Sequence, residues 1–137
     1  MIYKQLDKLF TIHETYNPYK IAKERKIDII EMPLGEETYG LTVRNNRFST
    51  FIIDDSIHEN TKEFVLCHEL GHSVLHKQAN TPFMRSVGAP SQILKMEAEA
   101  NSFAFELLRR HYDELNYMTP EQIVEYYRLP KYMTDYI

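Results

Sequence analysis

Residues 59–76 read ENTKEFVLCHELGHSVLH, and this stretch determines the centre of the predicted fold. Its apolar side chains at positions 64, 65, 70, 74 and 75 recur with a helical period, which predicts a helix that continues to about His76. Two capping-box patterns, one beginning at Ser56 and one at Asn60, leave the first residue of this helix open. Gly71 lies in the helix interior, where glycine costs about 1 kcal/mol relative to alanine, so we expect a neighbouring element to approach closely there.

Within this helix, HELGH at positions 68–72 has the residue types and spacing of a metal site. At about 100° per residue, His68 and His72 lie one turn apart on the same face, so both imidazoles can reach one Zn²⁺ ion at roughly 2.0 to 2.1 Å. Glu69 lies beside them, where its carboxylate could act as a general base toward a metal-bound water. The structural alternative is a pair of hydrogen-bonded core histidines, but the intervening glutamate favours a metal site. We therefore predict one bound zinc ion, with another divalent metal as the alternative.

A catalytic zinc site usually has three protein ligands and one open position, so a third ligand is expected on a neighbouring element. The next amphipathic helix, predicted over residues 93–108, provides Glu97 for this role. Asn101 lies one turn further on the same face, from which its side chain could orient a histidine ligand. Glu99 is turned by about 200° from Glu97 and is a poorer ligand. The alternative for Glu97 is an exposed charge, and we interpret His76 as a structural histidine that meets the negative end of the helix dipole.

The remainder of the chain predicts an α+β fold. The 137 residues contain no repeat or linker, so we expect a single domain over residues 1–137. Helices are predicted for residues 1–16, for residues 18–26 and after a capping box at Thr119. A strand is predicted for residues 27–34, a hairpin for residues 40–43 and 48–53, and a loop for residues 77–90. The expected architecture is a small, mostly antiparallel sheet packed beside the two helices of the metal site.

Composition and charge argue against several classes of protein. The net charge is −4, and the basic residues are scattered apart from a short run at residues 20–26, so we expect no direct nucleic-acid binding. Cys67 is the only cysteine, which excludes an intrachain disulfide and favours a reducing compartment, the cytoplasm. No apolar window approaches the length of a membrane span, so no membrane association is expected.

The two motifs together resemble those of the ImmA/IrrE family of metallopeptidases, which occur in phages, mobile elements and bacterial stress responses. HELGH at 68–72 is followed by EAEANSFAFELL at 97–108, which contains the E-x-x-A-N segment of that family. The resemblance implies that Glu97 completes the metal site, as in thermolysin-like gluzincins, and that the core is zincin-like. The chain departs from the common family pattern directly after this motif, where Arg109-Arg110 replaces Met-Pro.

These observations predict a zinc metalloendopeptidase with Glu69 as its general base. By resemblance, its substrate is a helix-turn-helix transcriptional repressor of phage or mobile-element type on a separate chain. The alternative is a non-catalytic zinc-containing binding protein, an anti-repressor or toxin–antitoxin partner, that sequesters its partner. Glu69 favours the peptidase, because a structural zinc site usually has four protein ligands and needs no adjacent base. Residues 48–53 could form an edge strand that receives an extended substrate segment, or an inner strand of the sheet.

Overall fold

Two short helices begin the fold in the computed structural model, which describes residues 1–45, 48–77, 83–84 and 91–137. They are α1 (Ile2–His13) and α2 (Pro18–Glu24), and both were predicted. Asn17 caps α2, because its Oδ1 accepts hydrogen bonds from the backbone N–H groups of Tyr19 and Lys20 at 3.0 and 3.3 Å.

A four-stranded sheet follows, in the spatial order β1-β3-β2-β4. The strands are β1 (Ile27–Met32), β2 (Thr38–Asn45), β3 (Phe48–Asp54) and β4 (Phe83–Met84). β2 pairs antiparallel with β3 as the predicted hairpin and with β4, whereas β1 pairs parallel with β3. The predicted α+β class is therefore confirmed, and the sheet is mixed with mostly antiparallel pairing.

The structure decides one detail of the sheet that the sequence left open and corrects another. β3 lies between β1 and β2, so of the two positions left open for residues 48–53 the edge position is wrong and the inner position is correct. The physical reason is that β3 pairs with β2 along one edge and with β1 along the other, so neither edge is left free for a further strand. Residues 83–84, predicted as loop, form β4 by pairing with β2. The remaining residues of that predicted loop from 78 onward, and residue 46 of the predicted turn, lie outside the described residues.

The central helix, α3 (Glu59–Leu75), packs between the sheet and the long helix α4 (Ser91–His111). From residue 61 to residue 72, every residue of α3 except Glu63 is buried, as expected for a helix covered on both sides. Both predicted capping boxes are wrong. The N-cap is His58, because its Nδ1 accepts the backbone N–H of Asn60 at 3.1 Å, while Ser56 donates to Asp54.

The C-terminal part of the chain packs across both long helices. It consists of a 3₁₀ helix at Asp113–Tyr117, helix α5 (Pro120–Tyr126) and a 3₁₀ helix at Lys131–Tyr136. α5 begins with the predicted capping box at Thr119, in which both reciprocal bonds with Gln122 are present. Thr61 of α3 donates to the backbone oxygen of Tyr127 at 2.6 Å. Within the described ranges, none of the helices is both long and apolar enough to cross a bilayer.

Candidate metal centre

The two histidines of α3 converge through their ring Nε2 atoms. His68 is completely buried and His72 is 4% exposed. Their Nε2 atoms lie 3.1 Å apart, which the one-turn spacing on a helix makes possible. Phe83 of β4 stacks on the His68 ring, with centroids 3.8 Å apart and planes inclined by 10°. No sequence signal indicated this contact, because Phe83 lies in a stretch without periodicity.

Glu97 of α4 meets both histidines. Its Oε2 lies 2.9 Å from His68 Nε2, and its Oε1 lies 2.9 Å from His72 Nε2. Burial by itself opposes ionisation of this carboxyl, but the hydrogen bonds with the two histidines outweigh burial and lower the pKa of Glu97 to about 2. The structure thus brings together the three residues that the sequence suggested as ligands.

Gly71 explains how the two helices come close enough for this arrangement. A Cβ atom at this position would lie 3.1 Å from Phe103 Cδ1 and 3.2 Å from both the Cα and the backbone oxygen of Ala100. These distances are shorter than ordinary carbon contacts of about 3.5 to 4.0 Å, so a larger residue would push α4 away. The close approach expected at Gly71 is therefore confirmed.

The donor set fits a single divalent ion. Ligands at about 2.0 to 2.1 Å around a tetrahedral ion lie about 3.3 Å from one another, close to the distances of 2.9 to 3.1 Å between these donor atoms. Two imidazoles and one carboxylate are ligands that zinc accepts, and three of them leave one position open. Among the described residues, this is the one cluster of three or more His, Cys, Asp or Glu side chains arranged to share an ion.

Glu69 lies beside this cluster but does not join it. The residue is 1% exposed, and Thr42 of β2 donates to its Oε2 at 2.9 Å. Its other oxygen, Oε1, makes no hydrogen bond within the described part of the chain. Burial raises the pKa of Glu69 to about 7, although the charge of His72 and the bond from Thr42 act in the opposite direction. Thr42 thus fixes one oxygen of this carboxylate, while the other has no partner in the part of the chain that the structure describes.

Asn101 contacts the ring of His68 on the side away from Glu97. Its Oδ1 lies 2.7 Å from His68 Nδ1, and its Nδ2 donates to the sulfur of Met133 at 3.7 Å. Because an amide oxygen only accepts hydrogen bonds, this contact places a proton on Nδ1 of His68. Nε2 can then offer its lone pair to a metal ion.

Sequence reasoning missed the contacts of His76 and Glu99. His76 is the C-cap of α3, close to the predicted helix end, but its Nδ1 also lies 3.0 Å from Nδ1 of His72. Its Nε2 lies 3.2 Å from Oε1 of Glu99. Burial lowers the pKa of His76, while the Glu99 carboxylate acts in the opposite direction. The four-residue spacing of positions 68, 72 and 76 indicated that His76 could reach His72. Whether the two rings meet depends on their side-chain rotamers, which spacing does not determine.

Two histidines and a carboxylate that converge from neighbouring helices, with a further buried carboxylate beside them, are typical of proteins that hold one catalytic metal ion. The comparison with protein families agrees with this class. The chain belongs to the peptidase family described as the IrrE N-terminal-like domain, whose family model matches residues 22–136. The predicted resemblance to the ImmA/IrrE family is therefore confirmed.

Two relatives were found by comparison with known proteins. One is "Uncharacterized immunity region protein 2" of Bacillus phage phi105, which is 33% identical over 135 residues covering 98% of this chain and 78% of that protein. The other is "Metallopeptidase ImmA" of Bacillus subtilis (strain 168), which is 34% identical over 132 residues covering 90% of this chain and 76% of that protein. No solved structure matches the chain. The family and the second relative support a metallopeptidase.

Proposed function

We propose that residues 1–137 form one zinc-dependent endopeptidase domain with a zincin-like core. His68, His72 and Glu97 are its metal ligands, and Glu69 is its general base. The observation that carries this proposal is the position of Glu69: it is buried next to the ligand cluster, Thr42 holds one oxygen, and the other has no hydrogen-bond partner among the described residues. A site that only stabilised the fold would have no use for such a carboxylate.

Each proposed role follows from a contact of this chain. When bound, a zinc ion supplies the Lewis acidity that activates a water molecule and polarises a peptide carbonyl. Oε1 of Glu69 accepts the proton of the attacking water, while the bond from Thr42 to Oε2 keeps the carboxylate in place. Asn101 keeps the His68 ring in the tautomer that a metal ligand requires. Burial of His68 and Glu69 limits the access of other water molecules to the reacting groups.

The proposed substrate is a helix-turn-helix repressor of phage or mobile-element type, cleaved in the cytoplasm. The resemblance of the two motifs to the ImmA/IrrE family supports this substrate class. The name of the phage relative, an immunity region protein, agrees with it. Cys67, the only cysteine, is a buried free thiol, which fits a reducing compartment.

The decisive experiment compares wild type with Glu69→Gln. Each form is expressed with the helix-turn-helix repressor encoded nearest to its gene, and repressor fragments are followed on a gel. Glutamine keeps the shape of the side chain but cannot accept the proton, so we expect normal zinc content and cleavage slower by orders of magnitude. Glu59→Gln is the matched control, because it makes the same change on the same helix at a carboxylate that is 80% exposed.

The possible results separate the competing functions. Cleavage by wild type and Glu59→Gln, but not by Glu69→Gln, supports the peptidase. If all three forms relieve repression while the repressor stays intact, the protein sequesters its partner and the peptidase proposal is wrong. If no form affects the repressor, the proposed substrate class is wrong.

A further inference from the structure

Both ring nitrogens of His72 have a partner. Nε2 faces the ligand cluster, 2.9 Å from Oε1 of Glu97. Nδ1 lies 3.0 Å from Nδ1 of His76, whose Nε2 in turn lies 3.2 Å from Oε1 of Glu99. The His76 side chain is 9% exposed and that of Glu99 is 30% exposed. A continuous chain of polar contacts therefore runs from the ligand cluster toward the protein surface.

For neutral rings, only one arrangement of protons allows this series of contacts to support His72 as a metal ligand. If His72 offers the Nε2 lone pair to a metal ion, its proton must be on Nδ1. His76 Nδ1 can accept that proton's hydrogen bond only when the His76 proton is on Nε2. The Glu99 carboxylate accepts the hydrogen bond from that Nε2–H group. Each donor in the series then has an acceptor. The Glu99 carboxylate favours the required tautomer of His76, and that tautomer in turn favours the required tautomer of His72.

The two histidine ligands are supported in different ways. His68 Nδ1 is held directly by the amide oxygen of Asn101. The sulfur of Met133 lies on the other side of Asn101, so that chain of contacts contains no charge. His72 is held by a second histidine, and the series ends at a carboxylate. A carboxylate at the far end of a histidine relay makes the ligand nitrogen more basic, which strengthens its bond to a metal ion.

We propose that His76 and Glu99 are positioning residues that hold His72 in its metal-binding tautomer. This inference rests on the ligand set of the proposed function. Glu99 lies outside the ligand cluster and acts through His76. The alternative is that His76 serves only the fold. Its backbone N–H donates to the backbone oxygen of His72 and so caps α3.

Zinc affinity, measured by competition with a chelator, tests the proposal without a substrate. His76→Leu removes the acceptor for His72 Nδ1–H, and we expect zinc binding about 10- to 100-fold weaker. His76→Asn places an amide oxygen near the position of Nδ1 but loses the Nε2 that contacts Glu99, so its affinity should match that of Glu99→Ala and exceed that of His76→Leu. Glu99→Ala should weaken binding about tenfold. Glu106→Ala is the control, because it removes a carboxylate of α4 with 22% side-chain exposure that pairs with Arg110 instead.

The double variant distinguishes a relay from a general effect of charge. Because Glu99 acts through His76, Glu99→Ala should have little further effect in a His76→Leu background. An undiminished effect in that background would overturn the relay. Wild-type affinity in His76→Leu, or equally weak binding in His76→Asn and His76→Leu, would overturn the positioning role.

Two further measurements complete the design. Thermal unfolding of the metal-free variants shows whether His76→Leu is folded. Glu99→Ala changes a partly exposed position, so it tests the relay even if His76→Leu does not fold. His72→Ala is the reference for the ligand set. If His72→Ala binds zinc as tightly as wild type, the proposed ligands themselves are wrong. If His72→Ala loses zinc while His76→Leu and Glu99→Ala both bind like wild type, only this further inference fails.

Discussion

Gly71→Ala tests whether the close contact of α3 and α4 is rigid. In an ordinary helix interior this substitution stabilises by about 1 kcal/mol, because alanine has the higher helix propensity. Here the new Cβ would lie 3.1 to 3.2 Å from Phe103 and Ala100. Two of those three contacts are backbone atoms of α4, so a change of side-chain rotamer cannot relieve them.

The expected size of the effect follows from these opposing contributions. Overpacking of a well-filled core costs about 1 to 3 kcal/mol. After the gain in helix propensity, we expect Gly71→Ala to lower the free energy of unfolding by up to about 2 kcal/mol. For a domain of this size, each kcal/mol corresponds to about 3 °C in Tm, so Tm should fall by up to about 6 °C. Because α4 also carries Glu97, zinc affinity should fall as well.

Urea denaturation of the metal-free protein measures the change in stability, and chelator competition measures zinc affinity. Ser73→Ala, at a half-buried position of the same helix, is the matched control and should change stability by less than about 1 kcal/mol. If Gly71→Ala is more stable than wild type by about 1 kcal/mol, α4 moves aside at no cost in free energy, and the prediction of a rigid contact is refuted.

Two further predictions concern the site itself. Thr42→Val removes the hydrogen bond to buried Glu69, so the free energy of unfolding should fall by about 1 to 3 kcal/mol. Thr42→Ser should restore most of that loss. Urea denaturation measures both variants, and a valine variant as stable as wild type would contradict the prediction. The purified protein should carry about one zinc ion per chain, and alanine at His68, His72 or Glu97 should remove most of it. Elemental analysis that finds full occupancy in Glu97→Ala would exclude this residue as a ligand.

Helical spacing accounts for what could be predicted of the site. Residues four apart share a helix face, so the positions of His68 with His72, and of Glu97 with Asn101, followed from the sequence once two helices were identified. Their meeting in space depended on the crossing of the two helices, for which Gly71 was the only local signal. The contact between His76 and His72 depended on rotamers, which spacing does not determine.

The parts of the fold that the sequence left open or predicted wrongly depend on tertiary contacts. The composition of β3 suits an edge or an inner strand, and only the parallel pairing with β1 decides between them. β4 has two residues and forms because β2 offers a partner, so it has no periodicity of its own. The start of α3 was misplaced because Ser56 and Asn60 are stronger capping signals than His58, whose ring nitrogen occupies the cap.

The contact between Asn101 and Met133 has a consequence for the order of folding. Met133 is completely buried and touches the side chain that orients the His68 ring. The hydrogen bond from Thr61 to the backbone oxygen of Tyr127 joins residues 66 positions apart, and closing a loop of that length costs entropy that local helix formation does not. We therefore expect these contacts to form after the helices have appeared. Binding of the proposed metal ion by a fully oriented site should then be one of the last events of folding.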